Sequence, residues 1–292
     1  QYGWYNTEKE TSQFSKGAYI EGESNKLTAD SMMYHRTTGF GEAFGNISMI
    51  DTSEKVAIYG DYGRYQRLEK STMITGSPLA IKDMDGDSLY FRADTFIDLA
   101  DTLEGKKRRL IAYRSVKLYK SDMQAVSDSM EYNFTDSTIG FYTNPILWAD
   151  SNQITGDTIL VFRNKDGIER LKAYRNGYVI ERDANRLYNQ IKGKHLEAFF
   201  INGKIYKVDV DGNGQSVYYA LEDTAKYSGV NDVICGMMTI NIDTGNRIRT
   251  IVFKNKPKAA FYPIEKFPEN KSRLQGFNWY SALRPEKFIF LN

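Results

Sequence analysis

The feature that most constrains this chain is a phrase that keeps returning. An apolar residue leads into a small residue and an aspartate, then a short alternating run ends in an aromatic. A polar turn, a second strand-like run and another turn complete the unit. The stretch 27–61 holds one copy, with Ala29-Asp30 leading and Gly45-Asn46-Ile47 in its second half. The marker aspartate recurs at Asp30, Asp61, Asp94, Asp128 and Asp157, in steps of 31, 33, 34 and 29 residues. Units of this size are too small to bury their own apolar face and do so by stacking on neighbours.

Composition says what the units are made of. Aromatics reach 14%, with 21 Tyr and 16 Phe against 6 Pro, a balance that suits strands better than helices. The 41% of hydrophobic residues is enough for a core and excludes a disordered chain. Net charge is +2 from 39 basic and 37 acidic residues, so no nucleic-acid partner is indicated. With Cys235 alone, no internal disulfide can form. No run approaches the ~20 apolar residues of a transmembrane helix. The first residues, QYGWYNTEKETSQ, lack a signal-peptide pattern and do not begin with Met; the expectation is an exported product whose signal is no longer present.

Residues 1–26 read as a loosely ordered lead-in with one strand near 18–20. From 27 to about 162 the text is short alternating runs separated by turns such as Thr75-Gly76-Ser77-Pro78, Asn144-Pro145 and Asp166-Gly167. The repetitive domain is expected over 27–255, with a break between two halves near 163–195. The stretch 184–194 comes nearest to helical spacing and suits a strand equally. Asn202-Gly203 marks a hairpin, and Asp243-Thr244-Gly245-Asn246 a second. The segment 256–292, with four of the six prolines, is expected to be irregular and to cap the terminal edge of the sheet.

Three architectures suit such units: an open, elongated β-jellyroll of stacked antiparallel strands folded like a taco, a parallel β-helix, and a propeller. Six- to eight-residue alternation and hairpin turns favour the jellyroll, an all-β fold. The phrases LTADSMMY…GNISMID…VAIYGDYGRY and ITGSPLA…DGDSLYFRADTF resemble the OstA-like periplasmic family of lipopolysaccharide transport, to which LptA, LptC and LptD are related, and most of all its long members in Bacteroidota. The likeness covers roughly 18–255 and is one of rhythm; the chain departs from the short family members in its length and its aromatic tail. It implies a non-enzymatic periplasmic carrier, membrane-associated through partners. Its groove would shield lipid A acyl chains, and other jellyroll proteins would join it end to end by strand addition.

Fourteen apolar strand positions are the groove candidates: Met32, Tyr34, Ile47, Met49, Ile58, Leu79, Ile81, Leu89, Phe91, Leu118, Met130, Ile146, Ile159 and Val161. Arg64, Arg67 and the run Lys106-Lys107-Arg108-Arg109 are candidates for lipid phosphates, the run serving otherwise as a solvated hairpin turn. The repeated aspartates are expected to face solvent or cap turns. Asp83, Asp85, Asp87 and Asp94, or Asp209, Asp211 and Asn213, miss the calcium-loop spacing and read as turn chemistry. His35 and His195 stand outside any metal spacing, and no nucleophile elbow, P-loop or dinucleotide motif occurs, so neither cofactor, metal nor catalytic residue is expected. Two rivals remain: a β-solenoid structural or adhesive protein with a closed, dry core, and a carbohydrate-active β-helix enzyme, which would need its carboxylates clustered on one face.

Overall fold

The computed structural model describes residues 2–84, 86–99, 108–165, 167–183, 185–223, 226–243 and 248–291. Asp85, Lys106, Lys107 and Asp166, named above, lie outside the described residues. The chain divides into two compact units. Unit 1 comprises 1–137 and 285–292, and unit 2 comprises 138–284. Both are antiparallel β throughout, with 3-10 turns and no α-helix among the described residues, which is the all-β open jellyroll expected.

Unit 1 is a meander of β1 (Tyr2–Asn6), β2 (Thr11–Glu21), β3 (Asn25–His35), β4 (Phe40–Asp51), β5 (Val56–Gln66), β6 (Ser71–Thr75), β7 (Leu79–Asp83), β8 (Ser88–Arg92), β9 (Thr95–Leu99), β10 (Arg109–Lys120) and β11 (Met123–Asn133). The long strands turn a corner halfway along. The first half of β5 pairs with β7 and its second half with β6; β10 pairs likewise with β8 and β9. Each unit is therefore two sheets, called limbs here, that share strands along a crease.

The crease is built from backbone. Alternate strands carry a pair of residues with left-handed φ: Lys16-Gly17, Gly45-Asn46, Gly76-Ser77 and Arg114-Ser115 in unit 1, then Thr143-Asn144, Arg175-Asn176, Gly212-Asn213 and Asn255-Lys256 in unit 2. A two-residue insertion of this kind bends the strand and shifts the register, as seen between Ser15 and Ala18 or Phe44 and Ile47. Glycine and asparagine suit it because they tolerate positive φ. The marker aspartates sit on the intervening strands, facing these corners. Asp30 Oδ2 accepts a hydrogen bond from Asn46 Nδ2 (2.9 Å), and Asp157 Oδ1 one from Asn176 Nδ2 (3.0 Å). The Asp94 N–H donates to the carbonyls of Tyr113 and Arg114, at 3.2 and 3.1 Å. One period of the sequence is thus a corner strand plus its facing strand.

Unit 2 repeats the plan with β12 (Thr138–Tyr142), β13 (Ile146–Ala149), β14 (Asn152–Thr155), β15 (Thr158–Asn164), β16 (Gly167–Arg182), β17 (Tyr188–Ile201), β18 (Lys204–Asp223), β19 (Lys226–Ile242), β20 (Ile248–Lys254) and β21 (Lys258–Tyr262). Asn202-Gly203, both at positive φ, closes the expected hairpin between β17 and β18. The second hairpin joins β19 to β20; its turn, 244–247, lies outside the described residues.

Two boundaries differ from expectation. Residues 1–26 hold β1, all of β2 and the start of β3; their alternation is hidden because exposed Tyr2, Trp4 and Tyr19 break the polar-out rule. The units divide after Ser137 and not near 163–195, where long strands run through. The tail begins with β21, which pairs with β19 at the end of the sheet. After β21 its part in unit 2 crosses the outer face of one limb, where Gln190 Nε2 donates to Ser272 O (2.8 Å) and Gln153 Nε2 to Asn278 O (2.7 Å). Ile264, Phe267 and Leu274 pack there on the core of Val217, Tyr219 and Val230. In unit 1, Phe290 is buried against Tyr90 and Tyr119.

Candidate functional site

Side chains alternate between the two faces of a strand, and the register carries that alternation across each unit. In unit 1 one inner row runs Phe14, Met32, Ala43, Gly63, Ile74, Phe96, Ala112, Met130. On the other limb the inner row is Ile20, Leu27, Met49, Ile58, Ala80, Phe91, Leu118, Ala125. Phe91 of one limb meets Tyr132 of the other, with ring centroids 6.4 Å apart. Met32, Tyr34, Ile47, Met49, Ile58, Leu89, Phe91, Leu118 and Met130 all lie on this inner face.

Leu79, Ile81 and Ile146 do not. Leu79 pairs with Tyr59 and Arg92, and Ile81 with Ala57 and Tyr90, which puts both on the outer face; the inward position between them is the small Ala80. Ala80 fits because its paired neighbours Ile58 and Phe91 take up the volume. Ile146 pairs with Thr155, on the outer face of unit 2 beside Tyr280 of the tail. Ile159 and Val161 are inward, in the rows Phe141–Ile159–Ala173–Leu196–Val210 and Ile139–Val161–Leu171–Ala198–Val208.

The two interiors are filled differently. Toward the β1–β2 end of unit 1 is a cavity of about 300 Å³, lined by Phe14, Ile20, Leu27, Met32, Ala43, Ile47 and Ile74, with Tyr34, Tyr65 and Arg67 beside them. Phe14 and Ile20 remain 48% and 57% exposed, so this end opens to solvent. In unit 2 an interior cavity measures about 90 Å³. Ile154, Val179, Phe200, Val208, Ile240 and Ile251 fill its walls, and Glu181, Asn189, Ser216 and Tyr218 line part of it. Burial, and next the charge of Glu181, push the Tyr218 hydroxyl above its usual pKa.

The basic candidates separate. Arg64, exposed and opposite Glu42, and Arg67, against Gly39, both border the unit 1 cavity. Arg109 is 3.5 Å from Glu131. Arg108 is not a free phosphate ligand. Its Nη1 donates to Asp51 Oδ2 (2.6 Å) and its Nη2 to Asp98 Oδ2 (2.9 Å). Phe134 covers the guanidinium at 4.9 Å and also lies 5.4 Å from the Lys82 ammonium. Asp51 ends the inner face of one limb and Asp98 that of the other, so the arginine ties the two across the mouth. Burial disfavours its charge, but hydrogen bonds and charges from Asp98 and Asp51 hold the guanidinium well above its ordinary pKa. Burial also pushes the Asp51 carboxyl up. Hydrogen bonds from Ser53, the Glu54 N–H and Arg108, with the arginine's charge, outweigh it and leave the carboxyl below its usual value.

Sequence reading missed this cluster, though a signal was there. Asp51 follows Ile47 and Met49 at inward spacing, and Asp98 follows Phe96 in the same way: charges on an apolar face at strand ends. Among the described residues no group of three His, Cys, Asp or Glu could hold a metal, and no helix is long and apolar enough to cross a membrane.

No family model and no curated protein matches the chain. Among 11 solved chains that match is the crystal structure of LptH, the LptA homologous periplasmic component of the conserved lipopolysaccharide transport device from Pseudomonas aeruginosa. It aligns over 48% of this chain and 95% of its own at 12% identity, with a TM-score of 0.36. A likeness of that degree is too slight to carry a fold or a function across.

Proposed function

We propose that the chain is a non-enzymatic carrier of lipid, working in the periplasm, whose unit 1 groove holds the acyl chains of lipopolysaccharide on the way to the outer membrane. The observation that supports this most is the open apolar cavity between Phe14, Leu27, Met32 and Ile74. At about 300 Å³ it is twice the ~150 Å³ of apolar space that holds benzene in an engineered protein core. An alkyl chain gains ~0.8 kcal/mol per buried methylene, so a chain lying in this cavity is held by several methylenes and can still slide. The sequence phrases that resemble OstA-like proteins point the same way. The outer side of β20 and β21 and the second half of β2 are edges on which a further jellyroll could add strands.

Photocrosslinking tests the reading. Benzoylphenylalanine at Met32 or Met49 should trap purified lipopolysaccharide, while the same probe at the outward Leu79 or Ile81 should not. Equal labelling at inward and outward sites, or none at the inward ones, sinks it.

A further inference from the structure

We propose that Arg108 is a clasp across the mouth of the unit 1 groove, and that it sets the route of loading: endwise past Phe14 and Ile20, not sideways between the limbs. The ligand side of this inference rests on the lipid-carrier reading; the clasp itself rests on geometry. A carboxylate on an apolar face is costly unless paired. Here two of them, one from each limb, face a single guanidinium, which binds Asp98 on its own limb and Asp51 on the other. The three side chains are 23%, 14% and 14% exposed, so water screens the pairs weakly. Phe134, whose N–H donates to Arg108 O (3.1 Å), stacks on the guanidinium and reaches Lys82 on the opposite limb, adding a second contact across the gap. Nothing comparable joins Phe14 and Ile20, the exposed apolar residues at the far end of the cavity, among the described residues. Among the described residues the mouth is thus tied by Arg108 and Phe134, while the end at Phe14 and Ile20 stays open.

The clasp is tested first without ligand. Spin labels on cysteines at Glu23 and Leu68, exposed turns at the free ends of the two limbs, report the gap in a chain whose buried Cys235 is replaced by alanine. The parent should give one narrow distance. Arg108→Ala, and the milder Asp51→Asn that cuts only the arm across the mouth, should give longer and broader ones. Dansyl-labelled palmitate is then mixed with each protein. Loading should accelerate on the order of tenfold in both variants, the scale of one lost charge-assisted hydrogen bond, with capacity unchanged. Unaltered distances in both variants overturn the clasp. Altered distances with an unaltered loading rate overturn the route. If the probe fails to bind the parent protein, the carrier reading falls while the distances still decide the clasp. Should Arg108→Ala not fold, Asp51→Asn decides alone.

Discussion

Units 1 and 2 are built to one plan and filled to different degrees. Both turn their strands at two-residue left-handed corners, and both line their inner rows with Ile, Leu, Met, Phe and Ala. In unit 2 those residues meet: Ile139, Phe141, Ile159 and Val161 are wholly buried, and a tail segment covers one outer face. In unit 1 the rows diverge toward β1, and residues as large as Phe14 and Ile20 stay half uncovered. The same alternation thus makes a packed core in one place and an unfilled trough in the other. What decides is whether the facing limb supplies volume, not the apolar pattern along any strand.

That contrast can be broken most forcefully by truncation. Phe141→Ala in unit 2 should cost ~3–5 kcal/mol, as for a fully buried ring, while Phe14→Ala in unit 1 should cost less than ~1 kcal/mol. Denaturant midpoints check both, and equal losses would erase the distinction. Next, Gln190→Ala leaves the Leu274 N–H and Ser272 carbonyl of the tail unmatched; a loss of ~1–3 kcal/mol should appear as faster amide exchange across 263–284. Smaller again, Gly76→Ala forces alanine to φ 80° and sets a Cβ 2.6 Å from that of Asp61; thermal melting should show a loss of ~1–2 kcal/mol.

The smallest effect is on pH. Asp51 and Asp87, both in unit 1, have carboxyls below the usual value. At Asp87 burial is outweighed by hydrogen bonds from Ser121, the Ser88 and Ser121 N–H groups and Lys120. A depressed folded-state pKa adds stability above the unfolded value of ~3.9, and that stability is lost as pH falls through the folded value. Acid melts should therefore weaken unit 1, and Asp51→Asn should flatten that dependence. A pH profile unchanged by the substitution would show that the clasp does not contribute.

Much of the fold was legible because period-two alternation and turn chemistry are local. The meander, the Asn202-Gly203 hairpin and most inward positions follow from them. Leu79 and Ile81 were misplaced because bulk suggested the core where a small Ala80 was wanted; parity runs unchanged through the Gly76-Ser77 corner, from inward Ile74 to inward Ala80. The clasp escaped because the run Lys106-Lys107-Arg108-Arg109 looks like one cationic patch. Only the pairing of distant strands gives Arg108 its two carboxylates. The role of the tail was illegible for a similar reason: Gln153, Gln190 and Tyr178 are ordinary strand residues until a segment some 80 to 130 positions later lies over them.

The corners have one more consequence, for how such a molecule can change its size. Because the bend is made by main-chain angles that Lys-Gly, Gly-Asn, Arg-Ser and Thr-Asn all adopt here, no particular side chain has to be copied to make a new one. A whole two-strand repeat can be spliced in or cut out with every remaining partner still matched. A single inserted residue within a strand turns that strand inside out up to its next bend. Length in this architecture is therefore quantised, and it grows or shrinks in steps of a full repeat.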